Sequence, residues 1–202
     1  MTERTSWDTP IRMIHWGLAL TISAQLFTGL LVADPQTRIF FYFHEWDGLA
    51  ASLLIALMWL WLYSIQSLSI LFPWNRKGMS AVWSDTRALF RGRLPPGGHT
   101  TGLASFGHGL GLLAATGMAV SGVWIFLIIP GGHGASAAST HFREYMRISA
   151  VHRTLSYCLW VYWVGHIAFA ILHEMRGTPL FGPMFLGSSG DSEALEGEDL
   201  PR

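Results

Sequence analysis

The stretch VHRTLSYCLWVYWVGH, residues 151–166, is an apolar run with a histidine near each end and no proline or acidic residue. His152 and His166 are fourteen residues apart. An α-helix rises about 1.5 Å and turns about 100° per residue, so this spacing covers about 21 Å and returns to within about 40° of one face. The stretch therefore predicts a membrane-crossing helix with two inward-pointing imidazoles, one near each membrane surface.

The composition of the chain is that of a membrane protein. Of its 202 residues, 50% are hydrophobic and 13% are charged, whereas soluble domains carry about 25% charged residues. The formal net charge is zero and no long basic block is present, so we expect no nucleic-acid partner. Cys158 is the single cysteine, which excludes an internal disulfide and a multi-cysteine metal site.

Four apolar segments are long enough to cross the hydrocarbon core of a bilayer, which takes about 20 helical residues. They are residues 10–32, 44–72, 103–129 and 148–173. The first is too long for the core of a secretory signal, so we expect it to be retained. The alternation typical of membrane barrel strands is absent. We predict an all-α, integral membrane four-helix bundle that forms one domain over residues 1–185.

Lysine and arginine predict the orientation of this bundle. Only three lie in the first and third connections: Arg38, Arg143 and Arg147. The remaining connection and the flanks of the bundle carry more: Arg4, Arg12, Arg76, Lys77, Arg87, Arg91, Arg93 and Arg176. Because cytoplasmic segments are enriched in these residues, both termini are predicted to be cytoplasmic.

Two segments outside the predicted spans have their own character. Residues 80–94, SAVWSDTRALFRGRL, mix aromatic, aliphatic and basic side chains and fit either a short helix in the membrane interface or a solvated loop. Residues 186–202 are acidic and poor in large apolar side chains, which predicts a disordered cytoplasmic tail.

The predicted topology places four histidines in pairs by depth. His15 and His166 fall on the inner side of the membrane, and His44 and His152 fall on the outer side. Ionisable residues at membrane depth are rare and usually functional, although a single one is more often a packing or interfacial residue. Two imidazoles on opposite sides of a haem iron give a six-coordinate centre suited to electron transfer, and helix bundles build such sites between facing helices.

Small residues near the four histidines leave two interpretations open. They are Gly17, Gly48, Ser156 and Gly165. A flat macrocycle needs backbone without bulky side chains, but close packing of membrane helices favours the same residues. The segment GHGLG at 107–111 is preceded by no strand and matches no nucleotide-binding loop, so it predicts a thin helix face.

Three segments resemble the bacterial cytochrome b561 superfamily, which includes the b-type cytochrome subunits of nickel-iron hydrogenases and formate dehydrogenases. They are WDTPIRMIHWGLALTISAQLFTGLLV at 7–32, FHEWDGLAASL at 43–53 and VHRTLSYCLWVYWVGHIAFAILHEM at 151–175. The resemblance covers about residues 7–185. It implies two haem b groups, bound through His15, His44, His152 and His166, in a multi-pass protein of the bacterial inner membrane.

The resemblance also implies a function. Electrons would pass through the two haems between the quinone pool and a redox partner subunit or periplasmic electron carrier at the outer surface. A candidate quinone pocket lies beside the inner haem, near Arg12, His108 and His173. His108 is also a candidate to contact a haem propionate or to replace one of the four ligands. The direction of electron flow is not fixed by these residues.

Other functions remain open at this point. A related branch of the superfamily suggests a stand-alone superoxide:quinone oxidoreductase. Histidines in helices also bind zinc, which suggests a non-haem metal permease or an intramembrane metalloprotease. A protease of the zincin kind needs a second histidine four residues after the first, where the segments HEWDG and HEMRG have Gly48 and Gly177. A purely structural membrane anchor is a further alternative.

Overall fold

The computed structural model describes residues 9–32, 35–37, 39–64, 68–95, 102–128 and 141–177, with positions 182 and 184. All regular structure in these ranges is helical. The helices are α1 (Thr9–Leu31), α2 (Ile39–Ser64), α3 (Leu68–Leu71), α4 (Arg76–Phe90), α5 (Leu103–Ile128) and α6 (Phe142–Met175), and a short 3₁₀ turn at Pro35–Thr37 precedes α2.

Four of these helices, α1, α2, α5 and α6, are long and apolar enough to cross a membrane. The shortest, α1, has 23 residues, which corresponds to about 34 Å and exceeds the roughly 30 Å of the hydrocarbon core. Leu20, Leu60 and Val161 are largely exposed on the outside of the bundle. Helices that are apolar on all sides are expected where the outer face meets lipid. The predicted all-α membrane fold is confirmed.

The ends of two spans differ from the sequence prediction. Helix α2 begins at Ile39 rather than at His44 and ends at Ser64 rather than near residue 72, because Leu68–Leu71 forms a separate short helix. Helix α6 begins at Phe142, six residues before the predicted start. Aromatic and charged residues extend both helices beyond the apolar core, where interfacial aromatic side chains are well accommodated. His44 and His152 therefore lie inside their helices rather than at the ends.

Helix α4 settles the structure of the basic connection. Of the two interpretations of residues 80–94, the helix is correct, although it covers Arg76–Phe90. Asn75 caps it, since its side chain accepts a hydrogen bond from the Gly78 amide at 2.7 Å. Val82 is buried while Trp83 is exposed, so the helix is amphipathic. Its location in the membrane interface stays a prediction, and residues 186–202 lie outside the described ranges.

The bundle consists of two helical hairpins, α1–α2 and α5–α6, joined by packing of α2 against α5. A buried apolar layer occupies the middle of the bundle and is formed by Leu18, Leu26, Ile55, Ala115 and Leu159. Two indoles link the hairpins at this depth. Trp59 donates to Thr116 Oγ1 at 2.9 Å, and Trp163 donates to Ser23 Oγ at 2.9 Å. This layer separates the two ends of the bundle, and each end holds a group of histidines.

Candidate functional site

Three histidines meet at the end of the bundle where α1 begins: His15 of α1, His108 of α5 and His166 of α6. The ring centroids of His15 and His166 are 6.3 Å apart, and the ring planes are tilted by 53°. His108 approaches His166 edge-on, with centroids 5.0 Å apart and planes at 86°. We call this group the three-histidine cluster. Tyr162 stacks on His166, with ring centroids 5.5 Å apart and planes at 27°.

Two histidines, His44 of α2 and His152 of α6, lie at the other end of the bundle and form what we call the two-histidine pair. His44 Nδ1 lies 3.0 Å from Thr28 Oγ1, and His152 Nδ1 lies 2.8 Å from Ser121 Oγ. Each imidazole of the pair is therefore held by a hydroxyl group of the preceding long helix.

The hydrogen bonds of these hydroxyls assign the tautomer of each ring in the pair. The Thr28 hydroxyl donates to the Ala24 carbonyl at 2.7 Å, and the Ser121 hydroxyl donates to the Gly117 carbonyl at 2.7 Å. A hydroxyl has one proton to donate, so its oxygen accepts from Nδ1–H of the histidine. Nε2 of His44 and of His152 then carries the lone pair that a neutral imidazole offers to a metal ion.

The two hairpins present these imidazoles in the same way. A Cβ on Gly29 would lie 3.5 Å from His44 Cε1, and a Cβ on Gly122 would lie 3.3 Å from His152 Cε1. Each of these glycines directly follows the hydroxyl residue that holds the same imidazole. The hairpins α1–α2 and α5–α6 thus form an approximate structural repeat.

The same repeat is visible in the spacing of residues along α1 and α5. His15 precedes Thr28 by thirteen residues, and His108 precedes Ser121 by thirteen residues. Thr28 and Ser121 were not among the predicted site residues, although this shared spacing is a pattern in the sequence that points to them. By the same register, His108 occupies in α5 the position that His15 occupies in α1.

A family model for prokaryotic cytochrome b561 matches residues 6–187. The chain belongs to that family. No match was found among curated proteins or solved structures. Membership makes the protein a multi-pass bacterial membrane cytochrome that binds b-type haem and transfers electrons across the membrane. The hydrogenase and formate dehydrogenase subtype stays a prediction.

The three-histidine cluster of this cytochrome has the dimensions that a bis-imidazole iron requires. An imidazole nitrogen lies about 2 Å from a bound metal ion, so two rings on opposite sides of one iron have centres about 6 Å apart. The 6.3 Å between His15 and His166 fits this arrangement. The 5.0 Å edge-on approach of His108 is too close for an iron between the rings. Geometry thus favours His15 and His166 as ligands and His108 as their neighbour.

Two further residues of the predicted quinone pocket have different surroundings. Arg12 lies one turn before His15, and its Nη2 donates to Thr9 Oγ1 at 3.2 Å. Its Nη1 is buried and has no hydrogen-bond partner within the described part of the cytochrome. A buried guanidinium nitrogen calls for an acceptor oxygen, which a cofactor or substrate can provide. His173 lies in the last turn of α6, about 10 Å beyond His166 along the helix.

The small residues near the candidate ligands do not all have the same explanation: some serve close helix packing and others leave room for a cofactor. A Cβ on Gly17 would lie 3.0 Å from Leu54 Cδ1, and a Cβ on Gly48 would lie 3.2 Å from Gln25 Oε1. Close helix packing accounts for both glycines. At Gly165, next to His166, a Cβ would meet no atom of another helix within 4 Å in the described part of the chain. Space beside this candidate ligand is therefore compatible with a bulky cofactor.

Proposed function

We propose that this cytochrome binds two b-type haems, one through His15 and His166 and one through His44 and His152. We further propose that it passes electrons between the quinone pool and a redox partner at the outer surface of the membrane that it spans. The placement of one imidazole pair at each end of the bundle carries the proposal. The 6.3 Å separation of His15 and His166 supports the first site. The tautomers assigned by Thr28 and Ser121 support the second.

The protein's part in this transfer is to hold the imidazoles and to keep the centre of the bundle dry. Bound haem supplies an iron that gains and loses one electron. Thr28 and Ser121 fix the rings of the two-histidine pair through Nδ1, which sets ligand orientation and basicity. The apolar layer around Leu18, Ile55 and Leu159 lies between the two ends. A largely apolar interior would therefore lie between the two haems when they are bound.

The topology and the basic residues support the proposed orientation of the bundle. Four spans return the chain to the side on which it starts, so the three-histidine cluster and α4 lie at the same end of the bundle as the start of α1. Helix α4 carries Arg76, Lys77 and Arg87. The enrichment of basic residues on the cytoplasmic side supports cytoplasmic termini. The three-histidine cluster is then the inner site and the two-histidine pair is the outer site.

The proposed quinone pocket lies at the inner end of the bundle. Arg12 Nη1 supplies a buried donor without a protein acceptor in the described ranges, and a quinone oxygen satisfies it. His108 lies next to the same cluster. His173 marks the cytoplasmic edge of this region, in the last turn of α6. Arg12 and His108 therefore form the part of the pocket closest to the inner haem.

A metal permease receives less support. Across the described residues, no three histidine, cysteine, aspartate or glutamate side chains are arranged to hold a metal ion. Transport or hydrolytic metal sites normally use at least three protein ligands. Pairs of imidazoles instead suit an iron whose remaining positions are filled by a porphyrin.

The haem count tests the proposed function. The full chain is purified in mild detergent, and haem b is quantified per polypeptide from its reduced spectrum after pyridine extraction. We expect two haem b groups per chain and two components in a redox titration. One haem per chain would contradict the assignment of two sites, and a protein that binds no haem would contradict the whole proposal.

A further inference from the structure

The His166 ring is enclosed by side chains of two helices. Tyr162, one turn earlier on α6, stacks on it with centroids 5.5 Å apart. His108 of α5 meets it edge-on at 5.0 Å. A rotation about χ2 that changes the plane of this ring would disturb both the stacked contact and the edge contact. These contacts differ in kind from the hydroxyl contacts that hold His44 and His152.

The Tyr162 ring reaches this position because α5 has no side chain opposite it. Gly111 is buried, and a Cβ at this position would overlap Tyr162 Cζ, Cε1 and Cε2. Such an overlap requires the ring to move. The neighbouring Gly109 is also buried and packs against the Leu71 carbonyl and the Phe72 ring. At Gly111, the thin helix face predicted for GHGLG therefore makes room for the Tyr162 ring.

The His108 ring is fixed within its own helix. Its Nδ1 lies 2.7 Å from the Ala104 carbonyl oxygen, and this oxygen can only accept, so Nδ1 carries the proton. The start of α5 is fixed in turn by α4, because Asp85 Oδ2 accepts a hydrogen bond from the Leu103 amide at 3.0 Å. The edge that His108 presents to His166 is thus held by contacts that do not involve His166.

We propose that Tyr162 and His108 are positioning residues that set the plane of the His166 imidazole, and that Gly111 maintains this arrangement by admitting Tyr162. The inference rests on the proposed role of His166 as an axial ligand. The angle between two axial imidazole planes governs the ligand field of low-spin ferric iron, and contacts around a ligand tune its metal. The 53° tilt between His15 and His166 is the quantity that the clamp formed by Tyr162, His108 and Gly111 controls.

The test compares two glycine variants of the full-length cytochrome. Gly111→Ala places a methyl group against Tyr162. Gly107→Ala adds a methyl group one turn earlier on α5, where no atom of another described element lies within 4 Å. Electron paramagnetic resonance of the oxidised protein gives g values that depend on the angle between the two imidazole planes. A redox titration gives the midpoint potential of each haem. We expect Gly111→Ala to shift the g values and midpoint of the component that His15→Ala removes. The other component should stay unchanged, and Gly107→Ala should behave as wild type.

Tyrosine variants keep the proposal testable if Gly111→Ala folds poorly. Tyr162→Phe retains the stacked ring and should keep the wild-type signal, whereas Tyr162→Leu should reproduce the shift. Wild-type g values and midpoints in both Gly111→Ala and Tyr162→Leu would overturn the clamp while leaving the ligand assignment intact. If His166→Ala retains both haems, the ligand assignment itself is wrong. The two failures are therefore distinguishable.

Discussion

The imidazole rings of His15 in α1 and His166 in α6 lie with their centroids 6.3 Å apart, across the gap between the first and last membrane helices. These helices belong to different hairpins, and they are linked nearer the middle of the bundle by Trp163 and Ser23. The distance suits two ligands on opposite sides of one iron. It supports the proposal that these two residues of the chain hold one haem.

Removal of either hydroxyl next to the two-histidine pair should weaken the outer site without abolishing it. Thr28→Ala and Ser121→Ala each remove the acceptor of an imidazole Nδ1–H. Loss of such a partner typically lowers metal affinity or activity by about 10- to 100-fold. We expect partial loss of the outer haem and a shifted midpoint, measured by haem content and redox titration.

The structural repeat supplies the control for these variants. Thr28→Ser and Ser121→Thr exchange the two hydroxyl residues and keep the acceptor, so both should retain two haems. Equal haem loss in the exchange variants and in the alanine variants would show that the hydroxyl group is not the relevant feature.

The hydrogen bond that links the two hairpins should contribute a small but measurable coupling free energy to the stability of the bundle. Trp163 donates to Ser23 Oγ at 2.9 Å, and side-chain hydrogen bonds between membrane helices contribute about 0.6 kcal/mol on average. A double-mutant cycle with Trp163→Phe and Ser23→Ala, followed by unfolding in mixed micelles, should give a coupling of about that size. Fully additive effects would show that the bond does not stabilise the bundle.

The depth of the histidines could be predicted from sequence, because helical rise and chain direction alone place His15 and His166 at one level. The rotation of each helix about its own axis could not be predicted from the sequence. Membrane helices are apolar towards lipid as well as towards the bundle, so hydrophobic periodicity does not show which face is inside. The contacts of Thr28, Ser121 and Tyr162 depend on that rotation.

The starts of α2 and α6 were wrong for a related reason. The polar His44 suggests a helix end, but the aromatic residues before it continue the helix from Ile39. Likewise, α6 continues upstream through charged residues to Phe142. The apolar part of each segment shows which residues lie within the membrane, but it does not show where the helix begins.

Helix α4 should hold the start of α5 through Asp85. The Asp85 carboxylate accepts from the Leu103 amide at 3.0 Å, and loss of such a cap costs about 1 kcal/mol. We expect Asp85→Ala to lower the thermal midpoint and to increase proteolysis between α4 and α5, whereas Asp85→Asn, which keeps an acceptor oxygen, should have a smaller effect. If Asp85→Asn is as unstable as Asp85→Ala, the acceptor is not what matters.

A quinone-analogue inhibitor should perturb the inner haem. Arg12 has a buried nitrogen available for an acceptor, so Arg12→Gln should weaken inhibitor binding, as should substitution of His108 or His173. The readout is the inhibitor-induced change in the optical spectrum of each redox component. His141→Gln is the control, because His141 is exposed and pairs with Glu144 at 3.4 Å. A shift confined to the haem lost in His44→Ala would place the quinone at the outer surface.

The pairing of the ligands is tested most directly by redox titration of four single variants, His15→Ala, His166→Ala, His44→Ala and His152→Ala. His15→Ala and His166→Ala should lose one and the same component, and His44→Ala and His152→Ala should lose the other. Each variant should retain about half of the wild-type haem, because the apolar layer around Leu18 and Leu159 separates the two sites. If His44→Ala and His166→Ala lose the same component, the assignment of one haem to each end of the bundle is contradicted.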